Sequence, residues 1–203
     1  MLIKNKSLAL QAVTHSSYAH EHKGFPNYER LEFLGDAVLE TVVSNYLFQR
    51  FPADHEGLLT RKRAALVCED YLAARAEELC LGDKVRLGRG MPADYRNNKS
   101  LLCDVMEAVI GAIYLDGGMD AAQRFIEKNI LVTADEIKIK DSKTELQENF
   151  PTAQIEYKTM EQEDGFIAEV RVNGHLLGTG TGHNKKEAEK QAAAEAIKQH
   201  HNF

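Results

Sequence analysis

The sequence predicts two domains, an all-α domain followed by a small α+β domain of order α-β-β-β-α. Three observations carry this reading. Apolar residues up to about residue 130 recur at helical spacing and nowhere alternate with period two. Residues 154–159 and 166–172 do alternate, and the Asn173-Gly174 that follows is a strong hairpin signal. Helical stretches at 142–149 and 184–199 bracket these strands. The expected boundaries are 1–131 for the first domain, 132–140 for a linker and 141–203 for the second.

In chain order, residues 7–13 form a short apolar helix. Thr14-His15-Ser16-Ser17-Tyr18 and a polar loop punctuated by Gly24 and Pro26 follow. Asn27 is the expected N-cap of a long helix that runs to about Arg50 and is stopped by Pro52. Residues 56–67 and 69–80 make two more helices, the second closed by Gly82 as the glycine just past its end. Gly88, Gly90 and Pro92 mark a loop through about Asn98. A nearly all-apolar helix covers 100–115 and ends at Asp116-Gly117-Gly118, with a further helix over 119–130. In the second domain Pro151 ends the first helix, a third strand covers about 175–180, and the last helix is alanine-rich. Gly178, Gly180 and Gly182 permit either tight turns or close backbone approach.

Composition sets the limits. At 203 residues, 43% hydrophobic and 28% charged, the chain has an ordinary globular make-up. No apolar run approaches the ~20 residues that span a bilayer. The N-terminus lacks the apolar core of a signal peptide, so a cytoplasmic protein with no membrane partner is expected. Cys68, Cys80 and Cys103 fit no metal spacing and are read as reduced core thiols. The net charge of −6 argues mildly against nucleic acid, and after residue 140 there are 11 acids against 7 Lys and Arg. Any nucleic-acid contact must come from local patches.

The chemistry-bearing pattern is acidic. Glu29, Glu32 and Asp36 stand at i, i+3 and i+7 in an apolar run, which puts all three on one helical face. No Lys or Arg shares that face at i±4, and uncompensated acids there are costly. Asp104 and Glu107 repeat the i, i+3 spacing on the second apolar helix. Two such helices face to face bring four to five carboxylates together, a donor set for a hard divalent cation. With no nucleophilic Ser, Cys or His motif, metal-activated water acting on a phosphodiester is the natural chemistry.

Asn27–Val38 closely resembles the signature of the ribonuclease III family. Asp104–Glu107, with Ala108 and Tyr114-Leu115-Asp116-Gly117-Gly118, resembles the family's second block, and Thr14–Tyr18 resembles an element near its N-terminus. Residues 141–200 resemble a double-stranded-RNA-binding domain, through Lys143–Glu148 and Gly178–Glu189. The order resembles the bacterial form with one nuclease domain. The resemblance implies a Mg²⁺-dependent endoribonuclease, with Mn²⁺ as a substitute and no small-molecule cofactor. It implies a homodimer that cuts both strands of duplex RNA to leave 5′-phosphates and short 3′ overhangs, in ribosomal, messenger and transfer RNA processing.

By the same resemblance Glu32, Asp36, Asp104 and Glu107 are metal ligands, with Asp36 and Glu107 the catalytic pair. Glu29 is an accessory acid beside the cleavage site and Glu56 another, supplied near the dimer partner's site; as plain residues, both are first-turn helix acids. Phe33 corresponds to an aromatic that enters the partner subunit. Thr144 and Gln147 correspond to minor-groove contacts, and His183, Lys185, Lys186 and Lys190 belong to the RNA-binding part of the last helix. Arg61, Lys62 and Arg63 are a solvated face or a duplex-facing patch, and Lys99 is placed to approach a phosphate.

The chain also departs from the family. Glu161-Gln162-Glu163-Asp164-Gly165 stands where a Gly-Pro-x-His element is usual, which weakens the second minor-groove contact. The N-terminus is short of part of the family's opening helix. The alternative reading is a non-catalytic duplex-RNA-binding protein on a nuclease-like scaffold, but such a protein is expected to lose some of the four acids.

Overall fold

The computed structural model describes residues 3–136 and 142–200. The chain divides into two compact units between residues 137 and 138. Residues 137–140 of the expected linker, and Asp141, lie outside the described residues.

The first unit is helical. It comprises α1 (Lys6–Ala12), α2 (Ser16–Glu21), α3 (Glu29–Arg50), α4 (Glu56–Val67), α5 (Glu69–Glu78) and α6 (Lys99–Asn129), with 3₁₀ turns at Gly82–Lys84, Ala93–Asn97 and Leu131–Glu136. Its centre is α6, whose first half is buried on nearly every side (Leu101, Leu102, Val105, Met106, Ala108, Val109, Ile110, Ala112 and Ile113). A helix apolar all round must be enclosed by others. Here α3 lies along it, with α1 and α5 packed on its other sides. At Gly118 the backbone leaves helical geometry (φ +75°), which breaks α6 where Asp116-Gly117-Gly118 predicts a stop. The Asp116 carboxylate is structural. It accepts hydrogen bonds from the backbone N–H groups of Lys4 (2.6 Å) and Asn5 (3.0 Å), tying the N-terminal segment to α6. Leu131 and Ala134 of the last 3₁₀ turn are buried in the same core.

Several sequence expectations change. Ser16–Glu21 is a helix rather than loop, capped by the His15 side chain, which accepts from the Ser17 N–H. The N-cap of α3 is Tyr28, not Asn27. The Asn27 carbonyl is taken by Gln11 Nε2 (3.0 Å), and burying the Tyr28 ring outweighs a side-chain cap. Helix α5 stops at Glu78, and the left-handed residue past its end is Cys80 (φ +52°), not Gly82. Gly82 is required for another reason: a Cβ there would lie 2.5 Å from the Arg96 carbonyl oxygen. Cys68 and Cys80 are exposed, so they are not core thiols, whereas half-buried Cys103 packs against the core.

The second unit comprises α7 (Ser142–Asn149), β1 (Ile155–Gln162), β2 (Gly165–Val172), β3 (His175–Gly182) and α8 (Lys185–His200). The strands form an antiparallel sheet in the order β1-β2-β3. Asn173 and Gly174 both take positive φ (51° and 81°), as a two-residue primed turn requires. Strand pairing runs further than predicted, to Gln162↔Gly165, so the acidic segment is a tight hairpin turn rather than a protruding loop. Gly165, at φ +139°, supplies the turn geometry.

Helix α8 sits directly on β3. A Cβ at Gly178 would lie 2.4 Å from the Ala192 carbonyl oxygen, and one at Gly180 2.3 Å from the Ala192 nitrogen. Glycines at period two on the strand thus meet Ala188, Ala192 and Ala196 at period four on the helix. Of the two roles open to these glycines, close approach is the one they fill.

Candidate metal centre and RNA-facing surface

The two acidic helices meet at glycine. A Cβ on Gly35 of α3 would lie 1.8 Å from the Glu107 carbonyl oxygen, and one on Gly111 of α6 would lie 2.2 Å from that of Leu31. The helices therefore cross backbone to backbone, with no room for a side chain at either glycine. Glu32 and Asp36 flank Gly35 on one helix. Asp104 and Glu107 precede Gly111 by two turns and one turn on the other.

This crossing puts the four carboxylates in one electrostatic field. Burial, then the charges of Asp36, Glu32 and Asp104, push the Glu107 carboxyl up to about 8. Glu32 is raised by burial and by Asp104, Glu29 and Asp36. Asp104 is raised by burial and by Glu69 and Glu29, against a lowering contribution from the Tyr28 hydroxyl, which donates to its Oδ2 at 3.3 Å. The Cys103 thiol is pushed up to about 12 by burial and by Glu107 and Asp104, which keeps it protonated.

Among the described residues, no three His, Cys, Asp or Glu side chains converge tightly enough to hold a metal ion as they stand. Like charges at this range repel, and Asp104 is turned toward Tyr28. The donor chemistry nonetheless fits a hard divalent cation. All four groups are carboxylates, three of them hold protons more tightly than isolated acids, and none accepts a salt bridge from a described Lys or Arg.

The other residues of interest fall in different places. Glu29 is exposed in the first turn of α3, close enough for its charge to act on Glu32, Asp104 and His15. Glu56 is not part of the acid group. It begins α4, accepts from Thr60 Oγ1 (2.9 Å), and lines a cavity of about 420 Å³ with Ser44, Leu47, Phe48, Leu59 and Arg63. Phe33 is 81% exposed and Phe48 72% exposed. Fifteen residues apart on α3, they lie on nearly the same helical face.

Two members of the basic triplet are engaged within the fold. Lys62 bonds to Asp54 (2.7 Å) and lies over the Phe51 ring, and Arg63 bonds to Ser44 Oγ (3.0 Å). Lys99 is held by Asp70 (2.6 Å). Two neighbours of the site carry no sequence signal of their own. Tyr28 stands inside the acidic motif but reads as background. Glu69, whose charge acts on Asp104, sits on a helix with no acidic spacing to mark it.

In the second unit Thr144 and Gln147 lie on α7, His183 lies in the bend before α8, and Lys185, Lys186 and Lys190 lie in its first turns. Lys185, Lys186 and Lys190 are exposed. The N-terminus of α8 is already capped: Asn184 accepts from the Glu187 N–H (3.0 Å), and Glu187 accepts from the His183 N–H (2.9 Å). Any phosphate contact here must come from lysine side chains more than from free backbone donors. Lys143 instead braces the fold, bonding to Glu189 (2.6 Å) and lying over the Tyr157 ring.

A carboxylate centre with cation-binding chemistry, joined in one chain to a small α-β-β-β-α unit with exposed lysines, defines a class: nucleases that carry their own RNA-binding domain. The family models agree. A ribonuclease-III-like model matches residues 5–134, and a double-stranded RNA binding motif matches 142–200. The chain is 47% identical to Ribonuclease 3 of Geobacillus kaustophilus over 208 residues, covering 96% of this chain and 85% of that protein. It is 44% identical to Ribonuclease 3 of Symbiobacterium thermophilum over 211 residues, covering 98% and 89%. Among solved structures it resembles the nuclease domain of ribonuclease III from Campylobacter jejuni, with TM-score 0.57 and 40% identity over 68% of this chain and 90% of that one. It also resembles Dicer from Pichia stipitis, with TM-score 0.52 and 26% identity over 97% and 94%. The chain belongs to the ribonuclease III family, and it is a double-strand-specific endoribonuclease.

Proposed function

We propose that this endoribonuclease works as a Mg²⁺-dependent homodimer, with the nuclease in residues 1–131 and duplex capture by 141–203. The observation that carries the catalytic reading is the glycine crossing that gathers Glu32, Asp36, Asp104 and Glu107 with no salt bridge from a described Lys or Arg. These four hold the ion, and Mg²⁺ fits their all-oxygen set, with Mn²⁺ as a substitute. When bound, the ion polarises a phosphodiester and lowers the pKa of water to make a nucleophile at neutral pH. Asp36 and Glu107 are the pair nearest the reaction. Glu107 is half-buried at the crossing, where its charge is best offset by a cation. A bound cation would also offset the local negative charge of these carboxylates and ease the repulsion facing an incoming RNA.

Incubating the protein with a long duplex RNA tests this. With Mg²⁺, short duplex products with 5′-phosphates and 3′ overhangs are expected, and with chelator none. Undiminished cutting in chelator would remove the metal from the mechanism.

The dimer is proposed to form through α3. Phe33 of one copy enters the partner's cavity beside Phe48 and Glu56, and two-fold symmetry repeats the contact. A solved Campylobacter jejuni ribonuclease III nuclease domain is described as having a flexible region involved in dimer formation. Phe33→Ala should weaken dimerisation on the order of a hundredfold, as expected for an aromatic anchor worth about 2–3 kcal/mol. Sedimentation across a dilution series reads this directly; an unchanged dimer would place the interface elsewhere.

Duplex capture by the second unit rests on Lys185, Lys186 and Lys190, with His183 beside them, and on Thr144 and Gln147. The tight acidic turn offers little to a second minor groove, so binding should be weak and steeply salt-dependent. Replacing Lys185 and Lys186 with Gln should lower the slope of log affinity against log salt by about one per lysine. An unchanged slope would show that these lysines do not touch phosphate.

A further inference from the structure

We propose that Tyr28 is a positioning residue that orients Asp104 for the divalent cation, and that Thr14–Tyr18 holds Tyr28 in place; this rests on the metal-centre reading above. Tyr28 directly precedes Glu29 and is 4% exposed. A buried phenol must give its hydroxyl an acceptor, because an unsatisfied one carries the full desolvation cost. The acceptor is Asp104 Oδ2, at 3.3 Å. That length makes the bond a weak restraint, enough to bias the carboxylate rotamer while leaving its other lone pairs for a cation.

The ring itself is clamped. The Tyr28 N–H donates to the Thr14 carbonyl (2.9 Å), and its ring packs on that of His15 with centroids 5.8 Å apart. His15 also meets the edge of Tyr95 at 5.8 Å. Its Nδ1 accepts from the Ser17 N–H (3.1 Å) and lies 2.8 Å from Ser17 Oγ, which in turn accepts from the Gly88 N–H (2.9 Å). The His15 N–H donates to the Arg86 carbonyl (3.1 Å), and the Arg86 N–H to that of Val13 (2.7 Å). The 14–18 segment contributes none of the carboxylates. These bonds converge on fixing one ring whose single polar atom reaches Asp104.

Tyr28→Phe keeps the ring and removes the hydroxyl. Titrating the full chain with Mn²⁺ in the absence of RNA, calorimetry should show affinity about tenfold weaker, the low end of the 10–100-fold seen when a ligand's supporting partner is lost. The thermal midpoint without metal should stay near that of the parent. The Mg²⁺ needed for half-maximal cleavage should rise by a similar factor, with KM for duplex at saturating Mg²⁺ unchanged. Asp104→Asn run in parallel separates the two readings. If it leaves Mn²⁺ binding intact, the metal-centre reading fails. If it weakens binding while Tyr28→Phe matches the parent, the positioning role alone is overturned. Should Tyr28→Phe not fold, His15→Gln takes its place, and parent-like Mn²⁺ affinity there overturns the proposal.

Discussion

Glu107→Gln should reduce cleavage of duplex RNA on the order of a thousandfold while RNA binding persists. A polarising cation supplies several kcal/mol to a phosphoryl transfer, and each ~1.4 kcal/mol is a factor of ten in rate. The substitution is nearly isosteric, and Gln cannot carry the negative charge that holds the ion. Glu107 is the acid whose proton affinity rises most clearly, pushed to about 8 by burial and by Asp36, Glu32 and Asp104. Neutralising it relieves that repulsion, so the variant should unfold at a temperature equal to or above the parent's. Loss of activity with undiminished stability and intact RNA retention is the expected signature. A variant that cuts at the parent rate in Mg²⁺ would remove Glu107 from the catalytic pair.

Gly35→Ala should destabilise the nuclease domain by on the order of 3 kcal/mol or more, an overpacking cost at the upper end of its range. In an ordinary helix the same change would stabilise by up to about 1 kcal/mol through helix propensity. The sign reverses because the new methyl would lie 1.8 Å from the Glu107 carbonyl oxygen, which is backbone and cannot rotate away. Relief requires α3 and α6 to separate. A midpoint lowered by several degrees, read by circular dichroism, is expected, and half-maximal cleavage should need more Mg²⁺. Gly111→Ala, facing the Leu31 carbonyl at 2.2 Å, should behave alike. A Gly35→Ala variant as stable as the parent would mean the helices do not cross this closely.

What the sequence could show follows from what periodicity records. Glu32, Asp36, Asp104 and Glu107 are legible because each pair sits at fixed helical spacing in an apolar background. The strands are legible because alternation and Asn173-Gly174 are local signals. Partners across the fold leave no such trace. Nothing near Gly35 announces Gly111, and nothing near Lys62 or Lys99 announces Asp54 or Asp70. Helix α2 is hard to read because six residues are too few for a period, and its cap is a histidine, which cap preferences do not favour. Asn27 outranks Tyr28 as a cap for the same reason: local propensity counts a capping oxygen but not the burial of a ring against His15.

The alanine and glycine contact between α8 and β3 bears on temperature. The buried core around it is rich in alanine (Ala168, Ala188, Ala192, Ala193 and Ala196), with Leu146, Val170 and Ile197 as its larger members. Unfolding this unit therefore wets little apolar surface for its length, and the heat-capacity increment follows that surface. A small increment flattens the stability curve. The RNA-binding unit should lose stability gently on warming and gain little on cooling, so its hold on a duplex would track salt far more closely than temperature.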